Sequence, residues 1–127
     1  RHSLVGSEMC IRDRSLMKAK LLMEQAVRDL ELSCFDKAVS AAYFSVRMAA
    51  ELLTRSRARR DDKLANALGN LMGDEFRIKM MALYEFRKRA DYRSKMTSEG
   101  EAKIAVRDAK QLLESIIEEI EERGGKE

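Results

Sequence analysis

Residues 102–120 read AKIAVRDAKQLLESIIEEI. Ala102, Ala105, Val106, Ala109, Leu112, Leu113, Ile116, Ile117 and Ile120 recur at steps of three and four, the spacing of one face of an α-helix. This is the cleanest amphipathic stripe in the chain. A half-buried strand would instead alternate at every second residue. A helix with one apolar face must bury that face against other elements. The stretch therefore predicts an all-α protein in which the remaining segments supply covering faces.

Working outward, the segments on the N-terminal side carry the same signature. Ser94 to Ser98 is a short polar connection. Thr97 and Ser98 are both candidate caps, and Ser98 with Glu101 three residues on has the form of a capping box. A helix is predicted from Asp74 or Glu75 to Tyr92, with Phe76, Met80, Leu83 and Tyr84 facing inward. A shorter one runs from Lys63 to Met72, capped by Asp61 and Asp62, weakened by Gly69 and ended by Gly73. Asp36 is the expected N-cap of a helix reaching Arg57. Its stripe of Ala38, Ala41, Ala42, Ser45, Met48, Ala49, Leu52 and Leu53 is rich in small residues, with Tyr43 and Phe44 beside it, which predicts the central helix. Leu16, Ala19, Met23, Ala26, Val27 and Leu30 mark a first helix over Ser15 to Leu32. The expected architecture is an antiparallel four- to five-helix bundle spanning 15–123, with a frayed tail at 124–127.

Composition agrees with one such domain. The chain has 127 residues, no proline, no tryptophan, 45% hydrophobic and 37% charged residues. No apolar window is long enough to cross a bilayer, so no membrane partner is expected. Cys10 and Cys34 form no disulfide or metal-ligand pattern, and Cys34 reads as a small packing residue; a reducing cytoplasm is the expected setting. The sequence holds no histidine cluster, no Cys-x-x-Cys and no Gly-x-x-x-x-Gly-Lys loop, so no metal and no cofactor are expected. The methionines fall mostly at core spacing.

Charge is unevenly spread. The formal net charge of +3 is too small to argue nucleic-acid binding by itself. From Glu75 to Lys95, however, seven basic residues face three acidic ones, and from Glu99 to Arg123 eight acidic face four basic. The run Arg55 to Arg60 adds positive charge that either complements a helix C-terminus or contacts phosphate. Within Leu83 to Arg93, Arg87 and Asp91 continue the inward stripe, whereas Lys88 and Arg89 leave it. An inward arginine needs a partner, because burying an unpaired charge is costly, and Asp91 four residues on is a candidate. The cluster Arg87, Lys88, Arg89, Tyr92, Arg93 and Lys95 is the candidate surface for RNA or a nucleotide; the competing reading is a polar network that locks the bundle.

Three pieces of sequence resemble the HEPN domain family, in particular small stand-alone members with an R-x-x-A-D-Y motif. They are Asp36 to Arg47, the motif Arg87-Lys-Arg-Ala-Asp-Tyr92, and the spacing from there to Glu101–Lys110. The resemblance covers roughly 16–122. It implies a helical bundle that forms a homodimer, in a family containing metal-independent ribonucleases and toxins encoded beside a minimal nucleotidyltransferase. The family's catalytic motif is an arginine followed four to six residues later by histidine. The arginine carries over to Arg87; the histidine does not, because four intervening residues lead to Tyr92. An unperturbed tyrosine is a poor general base near neutral pH. The resemblance thus implies a non-catalytic binding module for RNA, a nucleotide or a nucleotidyltransferase partner, in a toxin–antitoxin-like setting. One alternative is a ribonuclease with a degenerate motif, in which Arg87 positions RNA and Asp91 or Tyr92 assists. Another is a purely structural helical adaptor.

Residues 4–14, Leu-Val-Gly-Ser-Glu-Met-Cys-Ile-Arg-Asp-Arg, resemble a translated sequencing adaptor. That resemblance implies a non-native, irregular segment over 1–14, with a native start at Met17 or at an earlier residue. Without it the domain holds no histidine, since His2 lies upstream of the match.

Overall fold

The computed structural model describes residues 7–56, 60–93 and 95–124, with side chains from residue 12 onward. Five helices follow one another: α1 (Ser7–Glu31), α2 (Phe35–Thr54), α3 (Asp61–Met72), α4 (Asp74–Tyr92) and α5 (Glu99–Gly124). There is no strand among the described residues. The all-α bundle expected from the stripe of α5 is what forms.

α2 touches each of the other four helices. Its small residues explain why: Ala38, Ala42, Ala49 and Ala50 are buried and let neighbouring backbones approach. The Ser45 hydroxyl, fully buried, donates to the Ala19 carbonyl of α1 and so does not lose its hydrogen bond to the core. Tyr43, Leu64, Leu68, Met80 and Ile116 are the large side chains at the centre. Each contributes roughly 1.5–3 kcal/mol relative to exposure.

Several boundaries differ from expectation for physical reasons. α1 begins at Ser7, not Ser15, so residues 7–14 are helical where an irregular segment was expected. They contain no glycine or proline to stop a helix, and Arg12 Nη2 donates to the Ile120 carbonyl of α5 at 2.9 Å, which anchors the added turns. Residues 1–6 lie outside the described set. Asp36 does not cap α2; Cys34 occupies that position, exposed rather than packed. The Asp36 carboxylate instead accepts from the Thr97 backbone N–H at 3.0 Å, tying the α4–α5 connection to the start of α2. Asp61 and Asp62 lie within the first turn of α3, with Arg60 at the cap. α2 stops at Thr54, whose hydroxyl donates to Ala50 O and accepts from the Ser56 N–H, while Arg55 turns left-handed at φ 55°. Of the basic run, Arg57 and Arg59 lie outside the described residues. Gly124 belongs to α5. The capping box is formed as read: the Glu101 N–H donates to Ser98 Oγ at 3.1 Å and the Ser98 N–H to Glu101 Oε1 at 3.0 Å.

Gly69 has a role that propensity alone conceals. A Cβ there would lie 2.8 Å from the Cβ of Arg77 on α4, closer than side-chain carbons pack. In an exposed helix, alanine for glycine gains about 1 kcal/mol. Here Gly69→Ala is expected to reverse that sign and cost about 1–2 kcal/mol, because α3 and α4 must separate. Urea denaturation of the two proteins measures it; a stabilised variant contradicts the close approach.

Candidate functional site

The site is built where α2, α3 and α4 meet. Arg87 rises from the inward stripe of α4 and lays its guanidinium against two rings of α2, with Cζ 5.0 Å from the Phe44 centroid and 5.8 Å from that of Tyr43. Such stacking contributes roughly 0.5–2 kcal/mol, more as the cation is desolvated. Its Nε lies 2.8 Å from Asp91 Oδ2, the pairing expected from the i, i+4 spacing. The N–H is not aimed along that line, so Nε is buried without a hydrogen bond. The contact is a charge pair rather than a bidentate fork. Asp91 is held from the other side by Ser40 Oγ of α2, which donates to Oδ1 at 2.8 Å.

A second arginine lies deeper and carries more of the junction. Arg47 of α2 donates through Nη1 to Asp61 Oδ1 at the start of α3, and to the Tyr43 hydroxyl at 3.3 Å. Its Nε is 3.5 Å from Glu51 Oε2. The side chains of Arg47 and Asp61 are only 14% and 15% exposed, against 22% for Arg87. Burial pushes the Asp61 carboxyl above its ordinary value, and the nearby Arg87 charge opposes this without cancelling it. The short contact with Arg47 is the firmer observation, and it holds a carboxylate that burial disfavours. Tyr84 of α4 completes the group, its ring 6.0 Å from that of Tyr43. A shallow recess of 380 Å³ opens there, lined by Arg60, Asp61, Asp62 and Tyr84.

The other candidate residues diverge. Lys88 reaches Glu85 at 3.7 Å and lies 5.3 Å from the Tyr84 ring. Arg89 covers the Phe86 ring at 4.8 Å and has no carboxylate partner among the described residues. Arg93 crosses to Glu101 of α5 at 3.4 Å. Tyr92 stands 76% exposed, and Lys95 is exposed. The structure brings Arg87 and Asp91 together and spreads Lys88, Arg89, Tyr92, Arg93 and Lys95 over different sides of the helix end. Arg87, Lys88 and Arg93 each have an intrachain carboxylate, so most of the cluster's positive charge is neutralised internally. Around Arg60 and Glu101 the same holds: hydrogen bonding from Arg60 depresses the Asp62 carboxyl, and the Ser98 N–H, the largest influence, depresses that of Glu101.

Sequence reasoning missed Arg47, Asp61 and Ser40. The available signal was a lone arginine four residues after Tyr43 and four before Glu51 in an otherwise alanine-rich helix. Among the described residues, no group of three or more His, Cys, Asp or Glu side chains is placed to hold a metal ion, and no helix is long and apolar enough to cross a membrane. A recess of 190 Å³ between α4 and α5, beside Leu83 and Leu112, includes none of the candidate residues. No protein-family model matches the chain, and no curated protein matches it.

Proposed function

We propose that this chain is a non-catalytic binding module of the HEPN type, a cytoplasmic homodimer that engages a protein partner, such as a minimal nucleotidyltransferase, through the α2–α4 face around Arg87. One observation carries the choice of a protein partner. The cations around Arg87 are largely neutralised within the chain, while the Phe44 ring under its guanidinium is 40% exposed and, at the end of α4 and just past it, Tyr92 is 76% and Met96 72% exposed. Exposed aromatic and methionine side chains with internally satisfied charges suit a protein interface, where aromatic anchors dominate affinity and charges are depleted at the core. Arg87 then acts as a positioning group that holds Phe44 and the end of α4 in register. The missing motif histidine is the reason for a non-catalytic assignment.

Co-expression with the products of adjacent genes, followed by size-exclusion chromatography with light scattering, is expected to yield a complex. Tyr92→Glu is expected to weaken it at least about tenfold, a loss of about 1.4 kcal/mol or more, with helicity unchanged by circular dichroism. Unaltered affinity in that variant contradicts the placement of the interface.

A second reading, RNA or nucleotide binding, rests on Arg89, which lacks a carboxylate partner among the described residues, and on the exposed Tyr92 three residues on, whose ring is able to stack on a base. Fluorescence anisotropy of a labelled single-stranded RNA separates the two. Salt-sensitive binding that Arg89→Glu abolishes supports RNA; no binding at low salt removes it.

A further inference from the structure

The recess between α4 and α5 takes no part in the face just described and has a chemistry of its own. Its walls are mostly apolar: Phe76, Leu83 and Phe86 of α4 meet Leu112 of α5. Leu83 and Leu112 are buried, whereas both phenylalanines pack on the core and are still only partly covered. The space amounts to 190 Å³. An apolar cavity of about 150 Å³ admits benzene, and sites for drug-sized ligands measure roughly 300–1,000 Å³. The recess is therefore the size of one substituted ring.

Its polar lining consists of Lys79 on α4 and of Asp108, Gln111 and Ser115 on α5. The two charges have opposite sign, and each is already engaged. Lys79 Nζ lies 3.1 Å from Glu75 Oε1 and 5.4 Å from the centroid of the Phe76 ring. Asp108 Oδ1 accepts from Arg107 Nε and Nη2, both at 3.2 Å. An anion would have to displace Glu75 from Lys79 and face Asp108; a cation would have to displace Arg107 from Asp108 and face Lys79. Gln111 and Ser115 differ: neither side chain has a hydrogen-bond partner among the described residues. They stand one turn apart on the same side of α5. The glutamine amide both donates and accepts, and so does the serine hydroxyl. Their complement is a neutral group that also does both.

We propose that this recess binds an uncharged single-ring aromatic compound bearing a carboxamide-like group, with its ring against the phenylalanines and its amide at Gln111 and Ser115. Phenylalanine walls favour an aromatic ring over a saturated one of equal size, because ring pairs gain beyond the area they bury. A charged analogue fills the same space but must shed its hydration without an unengaged counter-charge to meet it. None of the lining residues belongs to the α2–α4 face around Arg87. The inference therefore goes beyond the partner-binding reading, and either can fail alone.

Titration of the full, isotope-labelled chain with benzamide, followed by backbone-amide NMR spectra, tests it. Saturable shifts are expected at Leu83, Phe86, Gln111 and Ser115, with half-saturation at about 1 mM or below. Benzoate and benzylammonium at neutral pH are each expected to bind at least about tenfold more weakly, and cyclohexanecarboxamide about threefold more weakly. Ala82 is exposed and lines the recess, so Ala82→Phe fills the space and is expected to abolish the shifts. Gln111 is also exposed; Gln111→Leu keeps the recess and is expected to weaken benzamide at least about threefold. Circular dichroism checks that both variants remain helical, and Gln111→Leu decides the matter if Ala82→Phe does not fold. Shifts that stay linear up to about 20 mM benzamide overturn the proposal. So does benzoate or benzylammonium binding as tightly as benzamide. Saturable binding left unchanged in either folded variant overturns it as well, since the ligand would then sit elsewhere on the chain.

Discussion

Replacing Arg47 with methionine is expected to cost about 3 kcal/mol of stability, the lower end of the roughly 3–5 kcal/mol range for breaking a buried ion pair from one side. The lower end applies because both side chains keep some solvent access, 14% and 15%. Methionine fills much of the arginine stem's volume, so the loss is mainly electrostatic. It strands the Asp61 carboxylate at the start of α3 and removes a donor from the fully buried Tyr43 hydroxyl. In urea, at a typical slope of about 2 kcal/mol per M, the midpoint should fall by about 1.5 M. Replacing both partners, Arg47→Met with Asp61→Leu, is expected to return to within about 1 kcal/mol of the wild type, because the buried pair goes as a whole and Glu51, which also loses Arg47, is 39% exposed to solvent. A single variant that matches the wild type means the contact is incidental.

The same variant has a distinctive pH response. In the wild type the Asp61 carboxyl already lies above its ordinary value of 3.8. A folded-state value above the unfolded one means the folded chain binds the proton more tightly, so ionisation at neutral pH weighs against the fold and acidification relieves it. Removing Arg47 takes away a favourable charge and raises that value further. The deficit of Arg47→Met should therefore shrink on acidification, as pH falls from the variant's further-raised value to the wild type's own raised one. The depressed carboxyls Asp62, Asp74 and Glu101 act in the opposite sense: they favour the fold above their ordinary values and lose that contribution only as pH falls through and below them. They leave the acid range above their own ordinary values to Asp61. A deficit that grows on acidification contradicts this account.

What could be read from the sequence follows from how local each cause is. The stripe of α5 and the Ser98–Glu101 box involve residues within a turn or two of one another, and both formed as read. Asp36 and Asp61 looked like caps because an acid before an apolar run is the local signature of one. Each instead satisfies a partner distant in the chain, Thr97 and Arg47 respectively, and no local pattern marks that choice. Arg87 was traceable because it fell on an apolar stripe with a carboxylate one turn on. Arg47 obeys similar logic but was masked by neighbours so small that its helix offered no sharp polar face. The divergence of Arg87, Lys88 and Arg89 was implicit in the helix itself, since at about 100° per residue consecutive cations cannot share a face; Arg93 departs because it lies past the helix end in extended backbone. Charge counted along the chain overstated the charge that any one surface presents.

Tyr43→Ala is expected to be the most damaging single substitution at the site, at about 4 kcal/mol. The ring is fully buried, 5.4 Å from Phe44 and 6.0 Å from Tyr84, and it underlies the Arg87 guanidinium. Truncation removes the ring's own burial and leaves a cavity where α2 and α4 meet, with Arg47 one bond poorer and Arg87 resting on one ring instead of two. Against a typical total of about 5–15 kcal/mol, such a loss brings a small domain close to unfolding. Tyr43→Phe isolates the hydroxyl: it keeps the ring and the platform for Arg87 and is expected to cost only about 1 kcal/mol, the worth of the bond from Arg47. The pair of variants separates packing from function. If Arg87 merely positions the α2–α4 face, Tyr43→Phe should bind the protein partner within about twofold of the wild type, because Phe44 and the end of α4 remain in register. A folded Tyr43→Phe protein that has lost the partner would instead place the Tyr43–Arg47–Asp61 network in the binding event itself, with α3 as the element that moves.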